Sequence, residues 1–164
     1  MRLLLQRVRK ASVSVGGETV GAIGHGILLF IGITAGDGRA DADWLARKAA
    51  GLRIFEDDEG KMNRSLLELG GEALVVSQFT LYADCRKGRR PGFDAAGDPA
   101  EANALYEYFV ERLKQEGVAK VATGRFGADM LVALENDGPA TFLLSHPWEY
   151  AVTAAPGQGG EAGS

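Results

Sequence analysis

The sequence of 164 residues contains one cysteine, Cys85, and two histidines, His25 and His146. A single cysteine excludes an internal disulfide. No cluster of cysteine, histidine and carboxylate residues has metal-ligand spacing, so we expect neither a metal nor a cofactor. GxGxxG and P-loop motifs are absent, which argues against a nucleotide-cofactor fold. There is no long apolar run and no signal-like N-terminal stretch, which predicts a soluble, cytoplasmic protein without membrane contact.

An excess of positive charge is lacking as well. The formal net charge is −4, so any contact with nucleic acid has to come from a local patch. One candidate patch contains Arg7, Arg9 and Lys10, and the other contains Arg86, Lys87, Arg89 and Arg90. Charge runs of this kind are often only solvated loops, so their assignment to nucleic acid rests on charge and proximity alone.

The remaining composition is that of a globular protein. Hydrophobic residues make up 46% and charged residues 24%, and the length predicts a single domain over residues 1–150. The segment 151–164 is rich in glycine and alanine and has no bulky apolar residue after Val152, which predicts a disordered tail.

Hydrophobic periodicity predicts strands interrupted by two helices. A long strand over Leu3–Val15 ends in a turn at Gly16-Gly17. Asp41 caps the first helix, which is expected to run to about Phe55. Asp98 caps the second helix. The other expected strands are Glu18–Ile23, Ile27–Thr34, Ala73–Val76, Val118–Thr123, Met130–Glu135 and Thr141–Leu144. Successive hairpins, without βαβ alternation, predict an α+β fold with a mixed, largely antiparallel or barrel-like sheet and two packed helices.

Two polar segments follow apolar runs and are the main candidates for a site. The first segment is Ser77–Asp84, SQFTLYAD, and the second segment is Asn136–Thr141, NDGPAT. Each is expected at the end of a strand, where hydroxyls, amides and a Gly-Pro step are common ingredients of a binding site.

Conventional side-chain catalysts are scarce. Ser77 and His146 lack the local GxSxG context of a serine hydrolase, and Cys85 has basic neighbours but no adjacent base. Backbone N–H groups in Gln78–Thr80 could form an oxyanion hole. Periodicity alone favours another interpretation, in which Phe79 and Leu81 are core residues while Gln78 and Thr80 face solvent.

The two segments together resemble the signatures of the D-aminoacyl-tRNA deacylases, also called D-tyrosyl-tRNA(Tyr) deacylases. The first segment looks like SQFTL-x-A, and the second resembles N-x-G-P-V-T with Ala140 in place of valine. Supporting similarity lies in Gln6-Arg7-Val8, Lys61-Met62-Asn63 and Arg90-Pro91-Gly92-Phe93. The resemblance covers about residues 1–150.

This resemblance implies hydrolysis of the ester between a D-amino acid and the 3′ end of tRNA. It also implies release of glycine mischarged on tRNA(Ala) and rejection of L-aminoacyl-tRNA through a cis Gly-Pro motif. The family's Gly-Pro reaches into the partner's site, so a homodimer is implied. The alternatives are a non-catalytic aminoacyl-tRNA-binding module, a conventional esterase using Cys85 or Ser77, and a sister deacylase with a trans Gly-Pro and relaxed chirality.

The resemblance also implies roles for individual residues. Phe79 and Thr80 would offer backbone N–H groups to the oxyanion, with Ser77 and Gln78 shaping the same wall. The substrate's amino group would be oriented by Gly138 and Pro139, with Ala140 and Thr141 adjoining. The tRNA contacts assigned on charge alone are Arg7, Arg86, Lys87, Arg89 and Arg90. Assistance by the terminal ribose 2′-OH is preferred over a Thr80 nucleophile, because no base is evident beside Thr80.

Overall fold

The computed structural model describes residues 1–147, and the predicted tail at 151–164 lies outside them. The elements in chain order are β1 Arg2–Val15, β2 Glu18–Ile23, β3 Gly26–Gly32, α1 Arg39–Gly51, β4 Phe55–Glu56, β5 Met62–Arg64, α2 Leu66–Leu69, β6 Glu72–Ser77, a 3₁₀ helix Phe79–Tyr82, α3 Pro99–Gln115, β7 Lys120–Thr123 and β8 Leu131–Ser145. No helix among the described residues is long and apolar enough to cross a membrane.

The long strand β1 organises the main sheet. It pairs antiparallel with β8 from Arg2 to Ser14, with register shifts around Arg7 and Arg9, and its other edge pairs antiparallel with β3 and then with β2. Parallel pairings of β3 with β6 and of β6 with β7 continue the sheet. At its far end β7 approaches β2 so closely that a Cβ at Gly21 would collide with the Thr123 carbonyl oxygen. The sheet is therefore mixed, largely antiparallel and nearly closed, as predicted.

Two details of the predicted topology are wrong. The parallel pairs β3–β6 and β6–β7 are joined by crossovers that contain α1 and α3, because parallel neighbours cannot be joined by a hairpin. The strands expected at Met130–Glu135 and Thr141–Leu144 form one continuous strand, β8. The second segment consequently lies within a strand, although the sequence pattern placed it at a strand end.

The helix boundaries agree with the sequence at α3 and differ at α1. Asp98 accepts hydrogen bonds from the N–H groups of Ala100 and Glu101, which confirms it as the cap of α3. Asp41 lies one turn inside α1, where its carboxylate accepts from the Gly38 N–H. Gly38 is the residue at the cap position, and α1 ends at Gly51 rather than near Phe55.

The sheet has an apolar layer on each face. The larger layer packs α1 and α3 against alternate residues of the central strands, including Leu5, Leu29 and Val75. The other face buries Val13, Leu28 and Leu74 in a smaller layer. Continuous burial along β3 and β6 explains their unbroken apolar sequence, since both faces of these strands are covered.

Candidate active site

The first segment leaves β6 through a sharp bend that is held by the neighbouring strand. The Gln78 N–H donates to the Ile31 carbonyl oxygen at 2.8 Å, and the chain then enters the 3₁₀ helix. Gly32 lies beneath this helix, where an added Cβ would come within 2.9 Å of the Leu81 Cβ. The 3₁₀ helix lies so close to β3 that position 32 requires glycine. This close packing fixes the position of the first segment over β3.

Among residues 1–147, the backbone amides of Phe79 and Thr80 have no acceptor. The first intrahelical bond of the 3₁₀ helix runs from the Leu81 N–H to the Gln78 carbonyl, at 3.2 Å. In the described part of the chain, neither the Phe79 nor the Thr80 N–H makes a hydrogen bond. Both lie in the first turn, where helices leave N–H groups unpaired. Two adjacent unpaired donors can stabilise an oxyanion.

An apolar cavity of about 420 Å³ lies beside Phe79. Its wall includes Ser77 and Phe79, and three apolar contributors from other elements are Ile31, Phe93 and Phe126. The Phe79 ring is 55% exposed and packs edge-on against Phe93, with centroids 5.1 Å apart. Phe93 and Phe126 are not predictable from the sequence as wall residues, because only the fold brings their loops to the end of β6.

No histidine serves the first segment as a base. Gln78 and Thr80 are joined through their side chains, where the amide Nε2 donates to Oγ1. His146 Nδ1 lies 2.7 Å from Asp41 Oδ1, and His25 Nε2 lies 3.6 Å from Asp137 Oδ2. Within residues 1–147 neither histidine bonds to Ser77, Thr80 or Cys85. A serine or cysteine triad is therefore not assembled in the described chain.

The second segment is looped out of β8 opposite β1. Gln6 pairs with Thr141 and Val8 pairs with Asn136, so four residues of β8 lie opposite the single residue Arg7 of β1. The Asn136 side chain closes this loop. Its Oδ1 accepts from the Ala140 N–H at 2.7 Å, and its Nδ2 donates to the Ala140 carbonyl oxygen at 3.2 Å.

Gly138 has a backbone conformation and surroundings that fit glycine only. Its φ angle is +154°, and an added Cβ would lie 2.6 Å from the Ala140 nitrogen and 3.2 Å from Arg7 Nη2. The Gly138–Pro139 peptide bond is cis. Gly138 and Pro139 are both exposed, while Ala140 is 4% exposed. The tip of the loop thus points outward from a fixed base.

Arg7 is buried beneath the second segment. Only 5% of the residue is exposed, and its Nε donates to the Asp137 carbonyl oxygen at 2.7 Å while Nη1 donates to the Ile54 carbonyl oxygen. The prediction that Arg7 is a surface contact for tRNA rested on charge alone and does not fit this burial. Arg7 instead holds the second segment in place, a role that only contacts distant in sequence reveal.

The exposed basic loop after the first segment contains Arg86, Lys87, Arg89 and Arg90. Arg86 forms two 2.8 Å hydrogen bonds with the Asp84 carboxylate, and these hold the pKa of Asp84 well below its usual range. The charge of Arg86 is therefore compensated locally. Lys87, Arg89 and Arg90 have no carboxylate within 4 Å among the described residues and stay candidates for RNA contact.

The two segments lie apart in one chain. Ser77 pairs with Ile31 near one end of the sheet, whereas the second segment lies beside Val8, on the far side of β1. Three strand spacings and about four residues of strand length separate them, on the order of 15–20 Å along the sheet. No described contact joins Ser77–Thr80 to Gly138–Pro139.

Comparison with known proteins gives a consistent result across the chain. Residues 4–145 match the sequence model of the family described as D-Tyr-tRNA(Tyr) deacylase. A D-aminoacyl-tRNA deacylase of Thermomicrobium roseum is 62% identical over 144 residues, covering 88% of this chain and 93% of the relative. The deacylase of Chlorobaculum parvum is 55% identical over 147 residues, covering 90% and 99%.

Two solved structures share the fold. A protein described as c-Myc DNA Unwinding Element Binding Protein superimposes with a TM-score of 0.85 at 41% identity, over 90% of this chain and 100% of the other. A probable eukaryotic D-amino acid tRNA deacylase gives a TM-score of 0.76 at 21% identity, over 87% and 97%. The similarity to this second structure, at 21% identity, supports only a shared fold.

Proposed function

The chain belongs to the D-Tyr-tRNA(Tyr) deacylase family, and from this premise we propose how it hydrolyses the ester of D-aminoacyl-tRNA. The observation that supports the proposal is the pair of Phe79 and Thr80 amides, unpaired among residues 1–147, with an apolar cavity of about 420 Å³ beside Phe79. The ester carbonyl is placed against these amides, with Ser77 and Gln78 forming the adjoining wall. The cytoplasm, where aminoacyl-tRNA is used, is the proposed location.

In the proposed reaction, water attacks the ester carbonyl carbon. The tetrahedral oxyanion accepts hydrogen bonds from the Phe79 and Thr80 amides, each contributing about 2.7–4 kcal/mol of transition-state stabilisation. The bond between the carbonyl carbon and the ribose 3′ oxygen then breaks, and that oxygen is protonated. The neighbouring ribose 2′-OH assists, because no side-chain base is bonded to Ser77 or Thr80 among the described residues and the Asp84 carboxylate is held by Arg86.

Chiral selection is assigned to the second segment. The carbonyl oxygens of Gly138 and Pro139 hold the substrate's α-ammonium group, with Ala140 and Thr141 at the side. The backbone atoms around the α-ammonium group leave no room for the side chain of an L-amino acid, so selectivity arises by exclusion of L residues. Glycine has no side chain to exclude, and glycyl-tRNA mischarged on tRNA(Ala) is therefore also a substrate.

A homodimer completes the site. The separation of the two segments in one chain supports a site in which Gly138 and Pro139 come from the partner. The edge strand β8 supports such a dimer, because it pairs only with β1 among the described strands and exposes Leu131 by 75% and Leu143 by 39%. Sedimentation equilibrium at micromolar concentration tests this point, and a monomer that retains full activity would contradict it.

The decisive experiment for the activity is hydrolysis of matched D- and L-tyrosyl-tRNA. We expect rapid release of D-tyrosine and negligible release of L-tyrosine. Binding of D-tyrosyl-tRNA without turnover would favour the non-catalytic module instead. Equal rates for the two enantiomers would favour a sister deacylase with relaxed chirality. Loss of activity on alkylating Cys85, with tRNA binding retained, would support the esterase alternative.

A further inference from the structure

The outer face of α1 and the residues after it present a cluster of cations. We call Arg47, Lys48 and Arg53 the basic strip, and all three are exposed. Together with Trp44, Gly51 and Leu52 they line a groove of about 460 Å³. The sequence does not predict this groove, because Arg53 follows the end of α1 at Gly51 and only the fold brings it beside Arg47 and Lys48.

The positive charge of this groove is compensated only weakly. Arg53 Nη1 donates to Asn63 Oδ1 at 3.4 Å. Hydrogen bonds with Ser65 lower the pKa of the nearby Glu68 carboxyl, and Arg53 adds a smaller contribution. No carboxylate lies within 4 Å of Arg47, Lys48 or Arg53 in the part of the chain that the structure describes. Most other lysines of this part have a carboxylate within 4 Å, in the pairs Lys10–Glu135, Lys61–Glu59, Lys114–Glu111 and Lys120–Glu72. In a chain with a net charge of −4, a groove with three unpaired cations is a local site for an anion.

The acidic residues of α1 do not neutralise the strip. The Asp41 carboxylate is engaged by His146 and by the Gly38 N–H. Asp43 accepts from the Tyr108 hydroxyl at 2.8 Å and pairs with Arg112 Nε at 2.8 Å. Both carboxylates are thus committed to neighbouring elements.

Trp44 adds a flat aromatic surface at the end of the strip. It is 36% exposed and lies one helical turn before Arg47 and Lys48. The His146 ring stacks on it at 4.8 Å with an interplanar angle of 29°, which fixes its orientation. A positioned aromatic ring next to unpaired cations is the combination by which proteins hold a nucleic-acid backbone and stack a base.

The strip adjoins the second segment through Arg7. The Arg7 guanidinium donates to the Asp137 carbonyl oxygen and also to the carbonyl oxygen of Ile54, which is the residue after Arg53. Arg9, whose side chain is 73% exposed, lies on the other side of this junction and pairs with Asp137 Oδ1 at 3.2 Å. Arg7 thus connects the backbone next to Arg53 to the base of the second segment, so the strip and the second segment are neighbours in the same subunit.

We propose that the basic strip binds the phosphodiester backbone of the tRNA whose acylated end lies in the partner's first segment. This inference rests on the proposed function, since it takes aminoacyl-tRNA as the substrate and Gly138 as a residue contributed across the dimer. The subunit that supplies Gly138 also supplies phosphate contacts, so one tRNA is held by both subunits.

The test compares the double variant Arg47→Gln/Lys48→Gln with the matched control Lys114→Gln/Lys120→Gln, which removes the same charge elsewhere. Binding of D-tyrosyl-tRNA is measured from low to high salt. Each phosphate contact contributes about 0.7–0.9 to the slope of log K against log salt, so we expect the strip variant's slope to be shallower by about 1.4–1.8. Its KM should rise at least about tenfold with kcat unchanged, and the control should match wild type.

A phosphate-free substrate separates this inference from the proposed function. D-Tyrosyl-adenosine lacks the tRNA backbone, so wild type and strip variant should hydrolyse it equally. Failure of wild type to hydrolyse D-tyrosyl-tRNA would overturn the proposed function itself. If wild type hydrolyses D-tyrosyl-tRNA normally but the strip variant keeps the wild-type salt slope and KM, only the proposed role of the basic strip would be overturned. An equal effect of the control variant would show a nonspecific charge effect and overturn it too.

The assignment across the dimer is tested in mixed dimers. A Phe79→Pro subunit paired with a Gly138→Ala subunit has one intact composite site, which takes Gly138 from the Phe79→Pro subunit. Placing the strip substitutions on that subunit should raise KM for tRNA, whereas placing them on the other should not. The reverse pattern would show that the strip serves its own subunit's site.

Discussion

The first and second segments are built in opposite ways. The first segment exposes Phe79 and leaves the Phe79 and Thr80 N–H groups without acceptors in the part of the chain that the structure describes. The second segment is fixed by Asn136, by Arg7 and by a glycine position that admits no side chain. Unused donors suit a site where charge develops during a reaction, and a rigid loop suits a surface that selects by exclusion. This contrast supports the proposal that the first segment carries the chemistry and the second segment the chiral selection.

Removing one amide of the first segment should have the largest effect. Phe79 is the first residue of the 3₁₀ helix, a position that tolerates proline, so Phe79→Pro deletes the N–H with little backbone change. We expect kcat for D-tyrosyl-tRNA to fall about 10²–10³-fold. Phe79→Ala keeps the N–H and is the control, with a much smaller loss. Equal losses in both variants would show that the ring, and not the amide, is required.

Adding a methyl group to the second segment should have the next largest effect. Gly138→Ala places Cβ 2.6 Å from the Ala140 nitrogen, so the loop must shift by about 1 Å, which costs about 10²-fold in kcat/KM. Gly16→Ala is the control, since Gly16 also has a positive φ, +58°, but no atom lies within 4 Å of its Cβ position. A mixture of Phe79→Pro and Gly138→Ala subunits should recover about a quarter of wild-type activity. No recovery would contradict the composite site.

Arg7→Gln should weaken the base of the second segment. The variant loses charged hydrogen bonds to two carbonyl oxygens at a site where Arg7 is 5% exposed, so we expect the free energy of unfolding to fall by about 2–4 kcal/mol. Urea denaturation measures this change. The control Arg9→Gln alters a side chain that is 73% exposed and should cost less than about 1 kcal/mol. Similar values for both would show that Arg7 does not support the loop.

Thr80→Val should have the smallest effect. The substitution removes the hydroxyl that accepts from Gln78 and leaves the Thr80 N–H in place. We expect kcat to fall less than about tenfold, because the oxyanion donor is retained. Single-turnover hydrolysis of D-tyrosyl-tRNA measures it. Complete loss of turnover in a folded variant would contradict the role assigned to the backbone and favour a Thr80 nucleophile.

Local features were predictable where a local rule decides the structure. The β1–β2 hairpin at Gly16-Gly17 and the Asp98 cap of α3 occur as predicted, because turn and capping preferences act between residues close in sequence. The parallel pairing of β3, β6 and β7 was missed. Periodicity identifies a buried strand without revealing the direction of its neighbours.

The sequence was enough to predict two short segments as the candidate site, because it offers one cysteine, two histidines and no recognisable catalytic motif. It could not show that Arg7 lies under Asp137, 130 residues away, or that Arg53 joins Arg47 and Lys48 in one groove. These placements follow from the packing of the folded chain. Hydrogen bonds and burial depend on which strands pair, and that pairing is settled by packing of the whole core.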